Sequence, residues 1–199
     1  MYNGLIQMPN ILRVSSSGYL KCSILEEMFR DREMECVGEI TRESVYSLIL
    51  QLRYLQKEDP DSPITMYINS PGGEVSSGLA LYDVMQAVTC PIRTVCVGRA
   101  DSMAALLFMS GDKGRREMLP HARLMIHDPL IAGGVEGSAL TVNAVAQDLM
   151  KTREIAASVI ARHTGHSLEE VLAKTAVDSS FDAEEALAWG LADRVIDKI

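Results

Sequence analysis

A serine stands at an abrupt change of pattern in the middle of the chain. Residues 92–97 form a short apolar run rich in β-branched side chains, which is typical of a buried strand, and the seven residues after Ser102 are all apolar and compatible with a helix. A serine at such a junction can direct its hydroxyl into a cleft, beside the free N–H groups of the helix's first turn. Ser102 is therefore a candidate acyl-transfer nucleophile, although the same position also suits an ordinary helix cap.

A serine nucleophile needs a base, because its hydroxyl is barely ionised at neutral pH, and the base needs an acid to orient it. His127 follows an apolar strand and precedes a proline turn, and Asp178 ends a polar stretch. Taken singly, a surface histidine is as good an interpretation of His127 as a base, and a turn aspartate is the more usual interpretation of Asp178. Elements that end at one edge of an open α/β sheet nevertheless bring distant residues together. Ser102, His127 and Asp178 are thus predicted to form a nucleophile, base and acid.

Two consecutive glycines follow the predicted strand at residues 64–69. Gly72 and Gly73 allow a close approach of the backbone or a positive φ angle, so that their N–H groups can face a ligand. The Gly73 N–H and the Met103 N–H could together bind an oxyanion. A purely structural turn is the more usual meaning of such a pair.

The order of predicted elements indicates an α/β fold. A helix beginning at Thr41 has one apolar face, and strands at 64–69 and 92–97 flank a second helix at 75–87, which is the pattern of a largely parallel sheet. Farther on, residues 115–119 and 123–127 are predicted to form a hairpin-like pair around a proline turn. A long helix over 140–163 and two short helices with capping boxes complete the chain, before a last strand at 192–196.

The composition limits the classes of function. A chain of 199 residues fits one domain with a sizeable core, and a net charge of −8 gives no support for a nucleic-acid or anionic-membrane surface. Neither a secretion signal nor a membrane span is expected. The four cysteines lack metal-ligand spacing, so the sequence predicts reduced thiols, no metal site and a cytoplasmic protein.

Four segments carry a family resemblance: YINSPGG (67–73), ADSMAALL (100–107), LPHARLMIHDPL (119–130) and HTGHSLEEV (163–171). In this order they resemble the proteolytic subunit of the Clp protease family. The resemblance implies a crotonase-like α/β fold of ββα repeats, with residues 22–199 as one catalytic domain. It also implies a protruding handle helix at about 130–163, and an N-terminal segment, 1–21, that is mobile or forms an axial pore.

The resemblance further implies a serine endopeptidase that cleaves unfolded polypeptides inside two stacked rings of seven subunits. Ser102 would be the nucleophile, His127 the base and Asp178 its orienting acid. Gly73 and Met103 would supply the oxyanion hole, while Gly72, Gly133 and Gly134 would bind substrate. A separate AAA+ ATPase would unfold the substrates. No cofactor is expected in this chain, which has no GxxxxGK phosphate loop, so ATP would be used by that partner.

Some positions depart from the family's pattern. Asp101 places a carboxylate beside the nucleophile, where it would oppose an oxyanion if it faced the site and change little if it pointed to solvent. Thr65 and Glu117 replace aromatic residues that receive the ATPase, and Val177 replaces an arginine at the ring junction. An idle or regulatory subunit that assembles with an active paralogue is the alternative. An acyl-CoA enzyme of crotonase type ranks below both, because the serine, histidine and aspartate would then be coincidental.

Overall fold

The computed structural model describes residues 9–16 and 18–199. The helices there are α1 Ile24–Arg30, α2 Arg42–Glu58, α3 Val75–Ala87, α4 Met103–Met109, α5 Ala139–Thr164, α6 Leu168–Thr175 and α7 Ala183–Ala188. The strands there are β1 Asn10–Ser15, β2 Gly18–Ser23, β3 Glu33–Val37, β4 Ile64–Ser70, β5 Ile92–Asp101, β6 Arg116–Met118, β7 Arg123–Ile126, β8 Ser179–Phe181 and β9 Arg194–Val195.

The main sheet is parallel apart from one strand. Its order is β3-β4-β5-β6-β9, and β7 pairs with the C-terminal part of β5. Only β8, which pairs with β7, runs antiparallel among the strands of this sheet that the structure describes. The predicted α/β class with a parallel sheet is confirmed. Because β4, β5 and β7 run parallel, their carboxyl ends lie at one edge of the sheet.

The prediction of a hairpin after residue 115 is wrong. β6 and β7 do not pair with each other, because β6 lies beside residues 94–96 of β5 and β7 lies beside residues 99–101 of the same strand. A turn between them, closed by the Ala122 N–H and the Leu119 carbonyl at 3.0 Å, offsets the chain without reversing it. β5 is longer than the predicted strand. Gly98 and Arg99 end the apolar run, so the second half of the strand has no apolar pattern.

Helix ends follow local chemistry. Thr41, Ser167 and Asp182 cap α2, α6 and α7 with reciprocal capping boxes, two of which the sequence predicted as such. The apolar face of α2 is buried against the sheet, as its spacing predicts; its buried residues are Val45, Leu48, Leu52 and Leu55. Gly165 ends α5 in the left-handed conformation at φ 84°.

The long helix α5 is present as predicted for a handle. It has 26 residues, but its buried residues, Ala157, Val159 and Ile160, all lie in its C-terminal part. The N-terminal part therefore projects from the domain. Several of its apolar side chains are exposed, among them Leu140, Val142, Met150 and Ile155.

In contrast, α4 is buried on every side. All seven of its residues are buried, and the helix packs against β4, β5, β7, α3 and α5. Removing so much apolar surface from water, at roughly 25 cal/mol per Å², makes α4 a rigid part of the core. Ser102, directly before it, is thus attached to an element that does not move independently.

The N-terminal region forms an antiparallel pair of strands, β1 and β2, that is not predicted from the sequence. Residues 1–8 and 17 of the predicted segment 1–21 lie outside the described residues. Apolar side chains of the pair, such as Leu12, Val14 and Tyr19, are exposed. β2 buries Cys22 but exposes residues 18–21, so the pair has no alternation of apolar and polar residues that could reveal it.

The four cysteines are free and buried. Burial is the main cause that raises the pKa of the Cys36 and Cys96 thiols to about 12, so both stay protonated at neutral pH and are poor nucleophiles and metal ligands. No group of histidine, cysteine and acidic side chains within the described residues is suited to hold a metal ion. Across the same residues, none of the helices combines the length and apolar character needed to cross a membrane.

Candidate active site

Ser102 occupies a strained backbone position. Its φ and ψ angles of 54° and −123° are rare for a residue other than glycine and cost on the order of 1–3 kcal/mol. A hydrogen bond of 2.7 Å from the Ser102 N–H to the Met125 carbonyl holds this turn. Ser102 precedes α4 in the N-cap position, but its hydroxyl makes no capping hydrogen bond. The helix-cap interpretation of this hydroxyl is therefore wrong, and the side chain is available for another partner.

That partner is His127, which the pairing of β5 with β7 brings beside Ser102. Asp101 lies opposite Met125 at the end of this parallel pair, so both chains continue side by side beyond their strands. Ser102 Oγ is 2.8 Å from His127 Nε2, a normal hydrogen-bond distance. The His127 side chain is 17% exposed, and water therefore has limited access to the hydrogen bond.

Asp178 reaches the other nitrogen of the same ring. β8 pairs antiparallel with β7, and Ser179 lies opposite Ile126, so the next position of this register sets Asp178 opposite His127. Asp178 Oδ1 is 3.2 Å from His127 Nδ1. Its side chain is 76% exposed, so its position depends on the backbone rather than on side-chain packing. The structure thus brings the three predicted residues into one hydrogen-bonded series.

Gly72 lies directly against the serine turn. A Cβ atom added at Gly72 would lie 2.6 Å from the Asp101 carbonyl oxygen and 2.8 Å from Ser102 Cβ. The φ angle of Gly72 is +88°, which also disfavours any side chain. The fully buried Ser70 accepts the Gly72 N–H at 3.1 Å and fixes the turn. At Gly73 an added Cβ atom would clash with the Ile40 carbonyl oxygen, so both glycines are required here for close approach.

Gly73 and Met103 retain free N–H groups. Gly73 forms a parallel bridge with Ile40, in which the hydrogen bonds come from the flanking Gly72 carbonyl and Glu74 N–H. The Gly73 N–H consequently points away from Ile40. Met103 is the first residue of α4, where an N–H has no partner within its helix. Within residues 9–16 and 18–199, neither N–H donates to a protein acceptor.

The Asp101 carboxylate is buried rather than directed freely to solvent, and Arg99 compensates its charge. Its side chain is 8% exposed, and its Oδ2 accepts a hydrogen bond of 2.6 Å from Arg99 Nε and a second contact from the same guanidinium. Arg99 has no role in the prediction from sequence. Residues two apart on a strand share a face, so this pair was detectable from spacing.

Gly133 and Gly134 lie in the exposed segment between β7 and α5, with φ angles of +87° and +84°. Among the described residues no hydrogen bond joins them to the serine, histidine or aspartate. Their role in substrate binding stays a prediction.

Thr65 and Glu117, two positions that depart from the family's pattern, lie in a polar patch. Glu117 is buried and pairs with Arg93 at 2.6 Å and with Arg194 at 3.4 Å. Thr65 lies opposite Arg93 in the neighbouring strand. Charged groups therefore occupy the surface where the resemblance places aromatic residues. Val177 is exposed beside Asp178.

Comparison with protein-family models gives a match to Clp protease over residues 16–199. The chain belongs to the Clp protease family. The match covers all of the main sheet and helices α1 to α7. The parallel sheet and the long helix α5 are consistent with the crotonase-like fold of Clp proteases, so the fold class predicted from the sequence is confirmed.

Proposed function

We propose that this Clp protease family member is a serine endopeptidase in which Ser102 is the nucleophile, His127 the general base and Asp178 its orienting acid. The observation that supports the proposal is the continuous series of contacts, 2.8 Å from Ser102 Oγ to His127 Nε2 and 3.2 Å from His127 Nδ1 to Asp178 Oδ1. Chance seldom aligns three such groups at the end of a strained serine turn.

The geometry supports an acyl-enzyme reaction. His127 Nε2 takes the hydroxyl proton as Ser102 Oγ attacks the carbonyl carbon of the peptide bond. The resulting oxyanion accepts hydrogen bonds from the Gly73 and Met103 N–H groups. The imidazolium then gives its proton to the leaving amine. Water, deprotonated by the same histidine, hydrolyses the acyl ester and restores the serine.

Asp178 acts mainly on the orientation of the imidazole. Because its carboxylate is largely in water, the charge–charge attraction to an imidazolium is screened, and a solvent-exposed pair contributes only about 0.2–1 kcal/mol. Accepting the Nδ1 hydrogen leaves Nε2 unprotonated and aimed at Ser102. The hydrogen bond therefore selects the reactive tautomer.

The proposal includes a ring assembly. The exposed apolar side chains of α5, together with Tyr46, Leu50 and Tyr54 along α2, form surfaces suited to burial between subunits. We place the chain in two stacked heptameric rings, alone or with a paralogue, where Gly72, Gly133 and Gly134 line the groove for an unfolded polypeptide. A partner AAA+ ATPase supplies the substrate and uses the ATP. The polar patch at Arg93 and Glu117 requires that partner to dock through polar contacts.

Labelling with a fluorophosphonate tests the proposal. The purified chain should be labelled and should cleave a small fluorogenic peptide, and Ser102→Ala should abolish both. Ser158→Ala, at an exposed serine on α5, is the matched control and should change neither.

Native mass spectrometry of the same sample should give the mass of 14 subunits. An assembled particle that is never labelled would contradict the enzyme and indicate an idle subunit. Tight binding of coenzyme A with no need for Ser102 would instead indicate an acyl-CoA enzyme.

A further inference from the structure

The residue that follows His127 is held by three hydrogen bonds. The Asp128 N–H donates to the Thr175 carbonyl at 2.7 Å, and Asp128 Oδ1 accepts the Thr175 hydroxyl at 2.7 Å. Asp128 Oδ2 accepts Arg153 Nε at 2.5 Å. The two carboxylate oxygens thus accept from two different donors, and the backbone N–H adds a second hydrogen bond to Thr175.

These partners come from the segments that surround the triad. Thr175 is the buried last residue of α6 and lies three positions before Asp178. Arg153 lies on α5 with its side chain 24% exposed, and its second guanidinium nitrogen donates to the Leu172 carbonyl of α6 at 3.0 Å. Asp128 therefore connects the chain after His127 to the chain before Asp178, and α5 supports both.

This connection supplies a restraint that the sheet does not. β7 and β8 share three residue pairs, which end at Ile126 and Ser179. Asp178 lies one position beyond them with an exposed side chain, and among the described residues its carboxylate is joined to His127 alone. The hydrogen bonds between Asp128 and Thr175 hold the chain that precedes Asp178. The loop from Thr175 to Ser179 is consequently fixed at both ends.

We propose that Asp128, together with Thr175 and Arg153, positions His127 and Asp178 relative to each other for catalysis. The inference rests on the proposed peptidase function and deepens it. Within the described chain no hydrogen bond joins the Asp128 carboxylate to Ser102 or His127, so Asp128 is a positioning residue and not a catalytic one. An asparagine at 128 would present an N–H₂ group to one of two donors and would lose that bond.

Disruption of the Asp128 cluster should lower kcat rather than change KM. A displacement of about 1 Å between reacting groups can lower the rate roughly 100-fold, whereas a cluster that does not touch the substrate leaves binding unchanged. Asp128→Asn and Thr175→Val should therefore lower kcat about 10- to 100-fold with KM within twofold of the wild type. Thr175→Val keeps the volume of the buried side chain and removes only the hydroxyl.

Conservative and matched variants separate positioning from folding. Thr175→Ser keeps the hydroxyl and should retain most of kcat, and Arg153→Lys should retain more activity than Arg153→Gln. Asp197→Asn removes an exposed carboxylate near the C-terminus, away from α5 and the cluster, and should behave as the wild type. All variants are assayed as the assembled full chain with a fluorogenic peptide and a fluorophosphonate, and native mass spectrometry verifies the assembly.

Wild-type kcat in both Asp128→Asn and Thr175→Val would overturn the inference and leave the proposed peptidase intact. Equal losses in Thr175→Ser and Thr175→Val, or loss of the assembled particle, would assign the cluster to folding and would also overturn it. If the wild type itself neither cleaves nor becomes labelled, the proposed function fails, and the positioning role fails with it.

Discussion

Removing the positive charge of Arg99 would isolate a buried carboxylate beside the proposed nucleophile. In the Arg99→Met variant a side chain of similar length remains, but Asp101 loses its hydrogen-bond donors and its counter-charge. The carboxylate then opposes the oxyanion that develops when Ser102 attacks. The variant should be slow in acylation although the serine, histidine and aspartate are intact.

The size of the effect follows from Coulomb's law. Two unit charges about 7 Å apart, the scale set by neighbouring side chains, repel by roughly 2.4 kcal/mol at an effective dielectric constant of about 20. That energy corresponds to about 60-fold in rate. The Arg99 side chain is 56% exposed, so water enters where it is removed and weakens the repulsion. We therefore expect acylation to slow roughly 10- to 30-fold.

The assay is the second-order rate of fluorophosphonate labelling for four proteins at equal assembly. Arg99→Lys keeps the charge and should stay within about threefold of the wild type, and Arg99→Met with Asp101→Asn should recover most of the lost rate. Wild-type labelling by Arg99→Met, or no recovery in the double variant, would refute the electrostatic reasoning.

Two further predictions concern stability. Ser102→Gly should be about 1 kcal/mol more stable than Ser102→Ala, because glycine relieves backbone strain of about 1–3 kcal/mol and only part of this gain is offset by the greater entropy of the unfolded chain. The melting temperatures of the two variants should differ by roughly 2–4 °C. An equal or lower melting temperature for the glycine variant would contradict the strain. Burial, with the charges of Arg116 and Arg162, lowers the pKa of His163, so the folded chain loses stability as the pH falls below about 6.5 toward that lowered pKa. The free energy of unfolding, measured with denaturant at pH 7.5 and 5.5, should fall less in His163→Gln than in the wild type. His121→Gln, at an exposed histidine, should behave as the wild type. Equal decreases in all three proteins would exclude His163 as the cause.

Elements with a strong local signal could be predicted from the sequence. The helix over 75–87 has the predicted bounds, and α2 begins after Thr41 as its capping residue and apolar spacing require. The capping boxes at Ser167 and Asp182 identified two short helices. In each case the signal lies within a few residues of the element it specifies.

Features that depend on distant partners could not be predicted in the same way. The segment after residue 115 contains two short apolar runs around a proline, and nothing within it reveals that both runs pair with β5. The three-residue strand β8 is too short for any periodicity, yet it sets Asp178 opposite His127. The Asp128 cluster joins residues up to 47 positions apart, so its members carry no common local pattern.

The projecting part of α5 ties the behaviour of the chain to its concentration. A helix of 26 residues is about 39 Å long, and the part that has no fully buried residue within its own chain has only marginal helical stability in water. When a second copy covers this part, as we propose, association contributes to the free energy of unfolding by mass action. Dilution therefore loosens α5 before it affects the sheet, and measured melting points of variants are comparable only at one protein concentration.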